Sequence, residues 1–277
     1  NRGFDVGVHP SLYQYYDSRA IFNNKLVNFA GPVTDVVGEP VVKFIKDNHD
    51  KPFFAYVPFQ AIHEPFNCPP DVFQNYKAKG YSDHVARLYG MIEVLDNNVG
   101  KILATLDQLD LTNNTVVMFL SDDGPSPGCD LSYSNRRMNE EEKQERSRGW
   151  GYELRGGKAN IWEGGSRTPF YLRWPSKLEA GKKYHHLSGV IDLFPTLLDI
   201  CGIESYQSAL PLSGRSLWPV LHAGDTAGWA DRKYFDNSNF YRIPRDEINF
   251  DYPNVNFMSM HYRNFKLVRQ DRTHYGG

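Results

Sequence analysis

Thr115-Val116-Val117-Met118-Phe119-Leu120-Ser121-Asp122-Asp123-Gly124 is the stretch on which the fold reading turns. Its first six residues are almost wholly apolar and partly β-branched, the pattern of a buried strand. Two adjacent carboxylates follow within three residues of its end. In open α/β sheets ligands collect beyond the carboxyl ends of strands. Paired carboxylates there are costly unless a cation or hydrogen-bond donors offset their charge. Asp122 and Asp123 are therefore candidate ligands for a hard divalent ion, calcium or magnesium. A helix cap or an acidic turn would use the same two residues.

Immediately upstream, Val85, Leu88, Tyr89, Ile92, Leu95, Val99, Ile102, Leu103 and Leu106 recur at three- and four-residue steps. That spacing predicts one long amphipathic helix, capped by Ser82 or Asp83 and ending near Asp110. Before it, Pro52-Phe53-Phe54-Ala55-Tyr56-Val57 reads as a short buried strand, and Thr34 to about Asn48 as a helix. An aromatic loop with Tyr13, Tyr15 and Tyr16 precedes that helix. Strand, helix and strand with short joints indicate an α/β sheet with some parallel pairing.

Downstream, Thr168 to Trp174 reads as another strand. Val190 to Cys201 reads as a helix, with Ser188 or Asp192 near its start and Gly202 as a left-handed stop. After about residue 205 the pattern shifts to short strands at Lys233–Phe235, Phe257–Met260 and Phe265–Val268, the last two joined by a turn at Tyr262-Arg263-Asn264. The expected division is an α/β domain over residues 1–205 and a small α+β subdomain over 206–277.

His63 lies a few residues beyond the Phe53–Val57 stretch, in Gln60-Ala61-Ile62-His63-Glu64-Pro65. If that strand runs parallel to Thr115–Leu120, the imidazole lies at the same sheet edge as the two Asp. It would there bind an anion or act as a general acid. A lone His is more often structural. Lys158 sits in Leu154-Arg155-Gly156-Gly157-Lys158, and Glu163-Gly164-Gly165-Ser166-Arg167 follows. Glycines on both sides let backbone approach a ligand, and an ammonium between them suits a tetrahedral oxyanion. The segment is no P-loop, because Ala159 follows the Lys. The charged run Arg136 to Arg148, with Trp150 and Tyr152 after it, would either border a cleft for an anionic saccharide or form a solvated loop.

Composition narrows the classes. The chain has 277 residues, 40% hydrophobic, with a formal net charge of −2. That length supports one sizeable core. The charge balance gives no footprint of a nucleic-acid binder. No apolar run approaches the roughly 18 residues that span a bilayer. The opening Asn1-Arg2-Gly3-Phe4-Asp5 is not a signal peptide, and the expectation is that the sequence begins inside a longer protein. Cys68, Cys129 and Cys201 are too scattered for a disulfide framework or a zinc site. The sequon Asn113-Asn114-Thr115 is compatible with a secretory route.

Taken together, Gln60-Ala61-Ile62-His63-Glu64-Pro65, Phe119-Leu120-Ser121-Asp122-Asp123-Gly124, Leu154-Arg155-Gly156-Gly157-Lys158 and Ile161-Trp162-Glu163-Gly164-Gly165-Ser166-Arg167-Thr168-Pro169 resemble the later sequence blocks of type I sulfatases, in the manner of the arylsulfatase B branch. Asp192-Leu193-Phe194-Pro195-Thr196-Leu197-Leu198, Gly214-Arg215-Ser216-Leu217 and Tyr262-Arg263-Asn264-Phe265-Lys266-Leu267 also fit, so the resemblance covers nearly the whole chain. It implies an alkaline-phosphatase-like α/β fold with a mixed, largely parallel sheet and a small C-terminal antiparallel subdomain. It implies one calcium ion (Ca2+) held by Asp122 and Asp123, with His63 and Lys158 on the sulfate or the leaving oxygen. The substrate would be a sulfated saccharide or an aryl sulfate. The second metal position, commonly Asn in the family, is here Asp123. The family's nucleophile is a formylglycine made from Cys or Ser within C/S-x-P-x-R. Cys68-Pro69-Pro70-Asp71-Val72 lacks the Arg, and Cys129 and Cys201 do not match. The formylglycine is expected in an upstream segment, ahead of the family's Gly-Phe-Asp block, which Gly3-Phe4-Asp5 resembles. The alternatives are a phosphodiesterase or phosphonate hydrolase of the same superfamily, and a non-catalytic sulfatase-like binding protein.

Overall fold

A computed structural model describes residues 3–10, 15–125, 154–155, 157–158, 161–207, 210–227, 229, 232–237 and 257–270. The charged run Arg136 to Arg148, Trp150, Tyr152 and Cys129 lie outside the described residues. These residues form two compact units, one running up to Val116 and one from Val117 onward.

The first unit begins with an antiparallel meander of β1 (Val8–Pro10), β2 (Arg19–Phe22) and β3 (Lys25–Asn28). The β2–β3 turn has Asn23 and Asn24 at φ of 46° and 67°. Asn tolerates this region because its short polar side chain bonds locally, and two such residues give the tight turn that suits strand twist. Helix α1 covers Val33–Asp47, α2 covers Pro70–Ala78 and α3 covers Asp83–Gln108. The predicted long helix is α3, and its cap is Ser82, whose hydroxyl accepts from the Val85 amide at 3.3 Å. Val85, Leu88 and Leu106 of the predicted stripe are buried, joined by Ala86, Met91 and Val94. Helices α1 and α3 are locked by Asn98, which donates to Asp35 Oδ1 at 2.7 Å and to the Val94 carbonyl at 2.9 Å. The approach requires Gly38, because a Cβ there would collide with the Asn98 carboxamide. A second cluster joins Tyr15, Val33, Cys68 and Met91.

Residues 53–57 are not the expected buried strand. They lie in no ladder, and Phe54 and Tyr56 are 60% and 69% exposed. An aromatic run supplies the side chains of a strand but not the neighbouring edge that would satisfy its backbone groups. Phe53 instead packs edge-on against Phe44 of α1, with ring centroids 6.0 Å apart.

The second unit opens with β4 (Val117–Leu120), at the predicted place, paired with β5 (Phe170–Arg173). The pairing is antiparallel, with Val117 opposite Arg173 and Leu120 opposite Phe170. Every ladder among the described residues is antiparallel, so the expected parallel pairing of β4 with residues 53–57 is not formed. Between β4 and β5 comes the single turn α4 (Glu163–Ser166). The predicted helix at 190–201 starts as a 3-10 turn, Val190–Asp192, and continues as α5 (Leu193–Ile200). It stops at Gly202, whose φ is +68° as foreseen. A short α6 (Trp218–Ala223) carries Val220 into a core with Leu217 and Trp229. The three late strands form one antiparallel sheet of β6 (Lys233–Asn237), β7 (Phe257–Tyr262) and β8 (Phe265–Gln270). Arg263, at φ +52°, turns β7 into β8 where the hairpin was expected.

Candidate functional site

Strand β4 ends at Leu120, and the chain turns at once through Ser121-Asp122-Asp123-Gly124. Ser121 Oγ donates to the Asp123 carbonyl at 3.0 Å, which tightens the turn. Asp122 is exposed and Asp123 half-buried. The Gly124 amide donates to the Gly165 carbonyl at 2.9 Å. A Cβ at Gly124 would run into the Gly164 carbonyl, so this backbone approach admits glycine alone.

The structure brings Lys158 to the same turn. Its amide donates to the Pro125 carbonyl at 2.7 Å, and its Nζ lies 3.2 Å from Asp123 Oδ2. Both side chains keep about a third of their surface in solvent, 30% and 33%, so the pair is screened and contributes little stability. Its value is positional: an ammonium stands beside a carboxylate at the mouth of a strand. Arg155 lies over the Trp162 ring, its guanidinium carbon 3.8 Å from the centroid. The Gly164 amide donates to the Arg155 carbonyl at 2.7 Å, so the two glycine-rich stretches are bound backbone to backbone.

Sequence reasoning missed a charged network behind this cradle. Lys266 of β8 donates to Glu163 Oε1 at 3.1 Å and to Ser166 Oγ at 2.8 Å. His261 of β7 has Nε2 3.7 Å from Glu163 and 3.3 Å from Asp236 of β6. Lys266 and Glu163 are 103 residues apart, and no periodicity or motif joins them. The sole local hint was a Lys set within the apolar Phe265-Lys266-Leu267.

His63 belongs to the first unit. Its Nδ1 is 2.6 Å from the Glu64 carbonyl, which also accepts from Tyr15 Oη at 3.2 Å. A carbonyl only accepts, so Nδ1 is the donor in this contact. The His63 amide donates to the Gln60 carbonyl at 2.9 Å, which holds the ring's backbone in place.

The acidic pair fits part of a calcium site. Carboxylate oxygens are the hard ligands calcium takes, but calcium needs six to eight oxygens. Among the described residues no group of three or more His, Cys, Asp or Glu is gathered as a metal site. Asp122 and Asp123 would thus supply a portion of the ligand set, and Lys158 offsets the charge of Asp123 beside it.

Comparison with known proteins is consistent with this geometry. The Sulfatase family model matches residues 1–203, and the model for N-sulphoglucosamine sulphohydrolase, C-terminal, matches residues 156–273. Steryl-sulfatase of Rattus norvegicus is 36% identical over 179 residues, covering 64% of this chain and 28% of that protein. The N-acetylgalactosamine-6-O-sulfatase of Bacteroides thetaiotaomicron is 33% identical over 189 residues, covering 68% of this chain and 34% of that one. The crystal structure of Ps i-CgsB matches with a TM-score of 0.70 at 22% identity, covering 91% of this chain and 49% of that one. BT4656 in complex with its substrate D-glucosamine-2-N,6-O-disulfate matches with a TM-score of 0.66 at 17% identity, covering 96% and 67%. The fold is therefore of the alkaline-phosphatase-like α/β class, with a small antiparallel sheet near the C-terminus. The chain belongs to the sulfatase family. It spans about a third of the length of the curated relatives it matches, from 28% to 37% for the first three.

Proposed function

We propose that the protein hydrolyses sulfate esters, with a sulfated carbohydrate as the substrate class, and that this chain supplies part of the site. The observation that carries the reading is Lys158 Nζ at 3.2 Å from Asp123 Oδ2, directly beyond the end of β4. Asp122 and Asp123 are assigned to calcium, which supplies positive charge opposite the sulfate oxygens when bound. Lys158 faces a sulfate oxygen or the leaving oxygen as a fixed cation. As a hydroxyl oxygen of the nucleophile would form a bond to sulfur, the bond from sulfur to the ester oxygen breaks and its electron pair goes to that oxygen. His63 or Lys158 protonates or stabilises the departing alkoxide, which leaves as the alcohol. The nucleophile is assigned to a formylglycine outside these 277 residues. The division into residues 1–205 and 206–277, and a secretory route, are kept as part of the same reading. They rest on the change of pattern near residue 205 and on the Asn113 sequon.

The test uses the full-length protein. Lys158→Ala and His63→Ala are each expected to lower turnover of a sulfate ester by about two orders of magnitude or more, the loss of one acid or one oxyanion contact. Near-normal turnover in either variant would remove that residue's role. Faster turnover of a phosphate diester than of a sulfate ester would replace the reading with phosphoryl chemistry. Saccharide binding with no turnover of either ester would reduce the protein to a binder.

A further inference from the structure

The single turn α4, Glu163–Ser166, has two glycines in four residues. A lone turn of that composition has no stability of its own, because nucleation is unfavourable and glycine adds backbone entropy. Its position must come from contacts outside it. On one side the Gly165 carbonyl receives the Gly124 amide, directly after Asp122-Asp123. On the other side Lys266 of β8 holds both ends of the turn, Glu163 at 3.1 Å and Ser166 at 2.8 Å. The Lys266 side chain is only 13% exposed, so its ammonium depends on these acceptors. Glu163 also has Arg167 NH1 at 3.9 Å and His261 Nε2 at 3.7 Å, and His261 faces Asp236 at 3.3 Å. A continuous chain of contacts thus leads from the C-terminal sheet to the acidic turn.

We propose that Lys266 is a positioning residue for the Asp122-Asp123 turn, acting through Glu163, Ser166 and the Gly164-Gly165 backbone. This rests on the assignment of Asp122 and Asp123 to calcium. Lys266 acts through its contacts with Glu163 and Ser166. It fixes where the Gly165 carbonyl stands, and that carbonyl fixes the Gly124 amide behind the two carboxylates. The C-terminal sheet would then be a working part of the site rather than an appendage.

The test compares Lys266→Met and Glu163→Gln with wild type in the full-length protein. Met keeps the apolar stem and Gln keeps the shape, so each removes one charge with little change of volume. Two readouts are taken: amide exchange of the peptide covering residues 121–125, and calcium affinity by titration calorimetry. Both variants are expected to speed that exchange and to weaken calcium binding by up to about 10-fold, the lower end of what losing a group bonded directly to a ligand costs, because they act on the turn at one remove. Exchange in α5 (Leu193–Ile200) is expected to stay at the wild-type rate. The double variant is expected to lose less than the sum of the two single losses, since the Lys266–Glu163 contact is common to both. Wild-type exchange and affinity in either folded variant would overturn the inference. So would a uniform rise of exchange that includes α5, or failure of both variants to fold, because the pair would then serve folding alone. If Lys266→Met alone fails to fold, Glu163→Gln decides on the same terms. Asp122→Ala separates the two claims: calcium affinity unchanged in that variant sinks the metal assignment, whatever Lys266 does.

Discussion

Arg232 and Asp192 meet as a two-pronged ion pair, NH1 to Oδ2 at 2.7 Å and NH2 to Oδ1 at 2.6 Å, with side chains 4% and 0% exposed. The remaining acceptor capacity of Asp192 is taken by the Gly189 amide at 2.9 Å and the Arg215 amide at 2.9 Å. Arg232 also donates to the Leu187 carbonyl and lies over the rings of Trp229 and Tyr234. One carboxylate thereby ties together the entry to α5, the Gly214-Arg215 loop and the start of β6. The sequence placed Asp192 near a helix start but gave it no partner 40 residues away.

Breaking this pair from one side leaves a buried charge alone. Asp192→Asn or Arg232→Met is expected to destabilise the protein by about 3–5 kcal/mol. Denaturant unfolding measures it. A change under about 1 kcal/mol in both variants would mean that water or rearrangement replaces the lost partner.

Gly124→Ala places a methyl group against the Gly164 carbonyl, and both sides of that clash are backbone. Neither can yield as a flexible side chain would, so a cost of about 1–3 kcal/mol is expected. The strain falls on the turn that carries the acidic pair. Calcium affinity should drop with it, and unchanged affinity would show that the turn tolerates movement.

Ser82→Ala removes the hydroxyl that accepts the Val85 amide at the start of α3. Ser82 is buried, so water replaces the lost bond poorly. The expected loss is about 1 kcal/mol. Ser82→Asp, which restores an acceptor at the same place, should recover part of it in thermal unfolding.

Cys68 and Tyr234 are among the groups expected to make stability fall at alkaline pH. Burial raises the Cys68 thiol above its ordinary value, with Asp71 and Glu93 adding to the effect and Arg87 opposing it. Burial also raises the Tyr234 phenol, helped by the carboxylates of Asp236 and Asp192. A raised folded-state pKa means that the folded chain holds the proton where the unfolded chain releases it. Each contribution is therefore whole below the ordinary values, about 8.5 for Cys and about 10 for Tyr, and is lost as pH rises through the raised ones. The double variant Cys68→Ala, Tyr234→Phe should show a shallower decline of Tm above about pH 8.5 than wild type. An equal slope would assign the decline elsewhere. In the native protein at neutral pH, exposed Cys201 should react with iodoacetamide well before buried Cys68, as peptide mapping would show.

Local pattern placed several elements, although β4 leaves Phe119 and Leu120 39% and 37% exposed where a buried strand was expected. The α3 stripe, the β4 run, the Gly202 stop and the β7–β8 hairpin all lie where spacing and turn chemistry put them, because each signal is complete within one short segment. Asp122, Asp123 and Lys158 were legible as candidates for a related reason: carboxylates at a strand end and an ammonium between glycines are unusual within a few residues. Pairing was not legible. The direction of β4 against β5, and the failure of residues 53–57 to enter a ladder, depend on which edge reaches which across distant chain. Tertiary structure alone decided that Lys158 stands beside Asp123, that Lys266 grips Glu163 and that Arg232 buries its charge on Asp192. A side chain's need for a partner is written locally, while the partner's identity emerges only when folding has brought the two within a few ångströms.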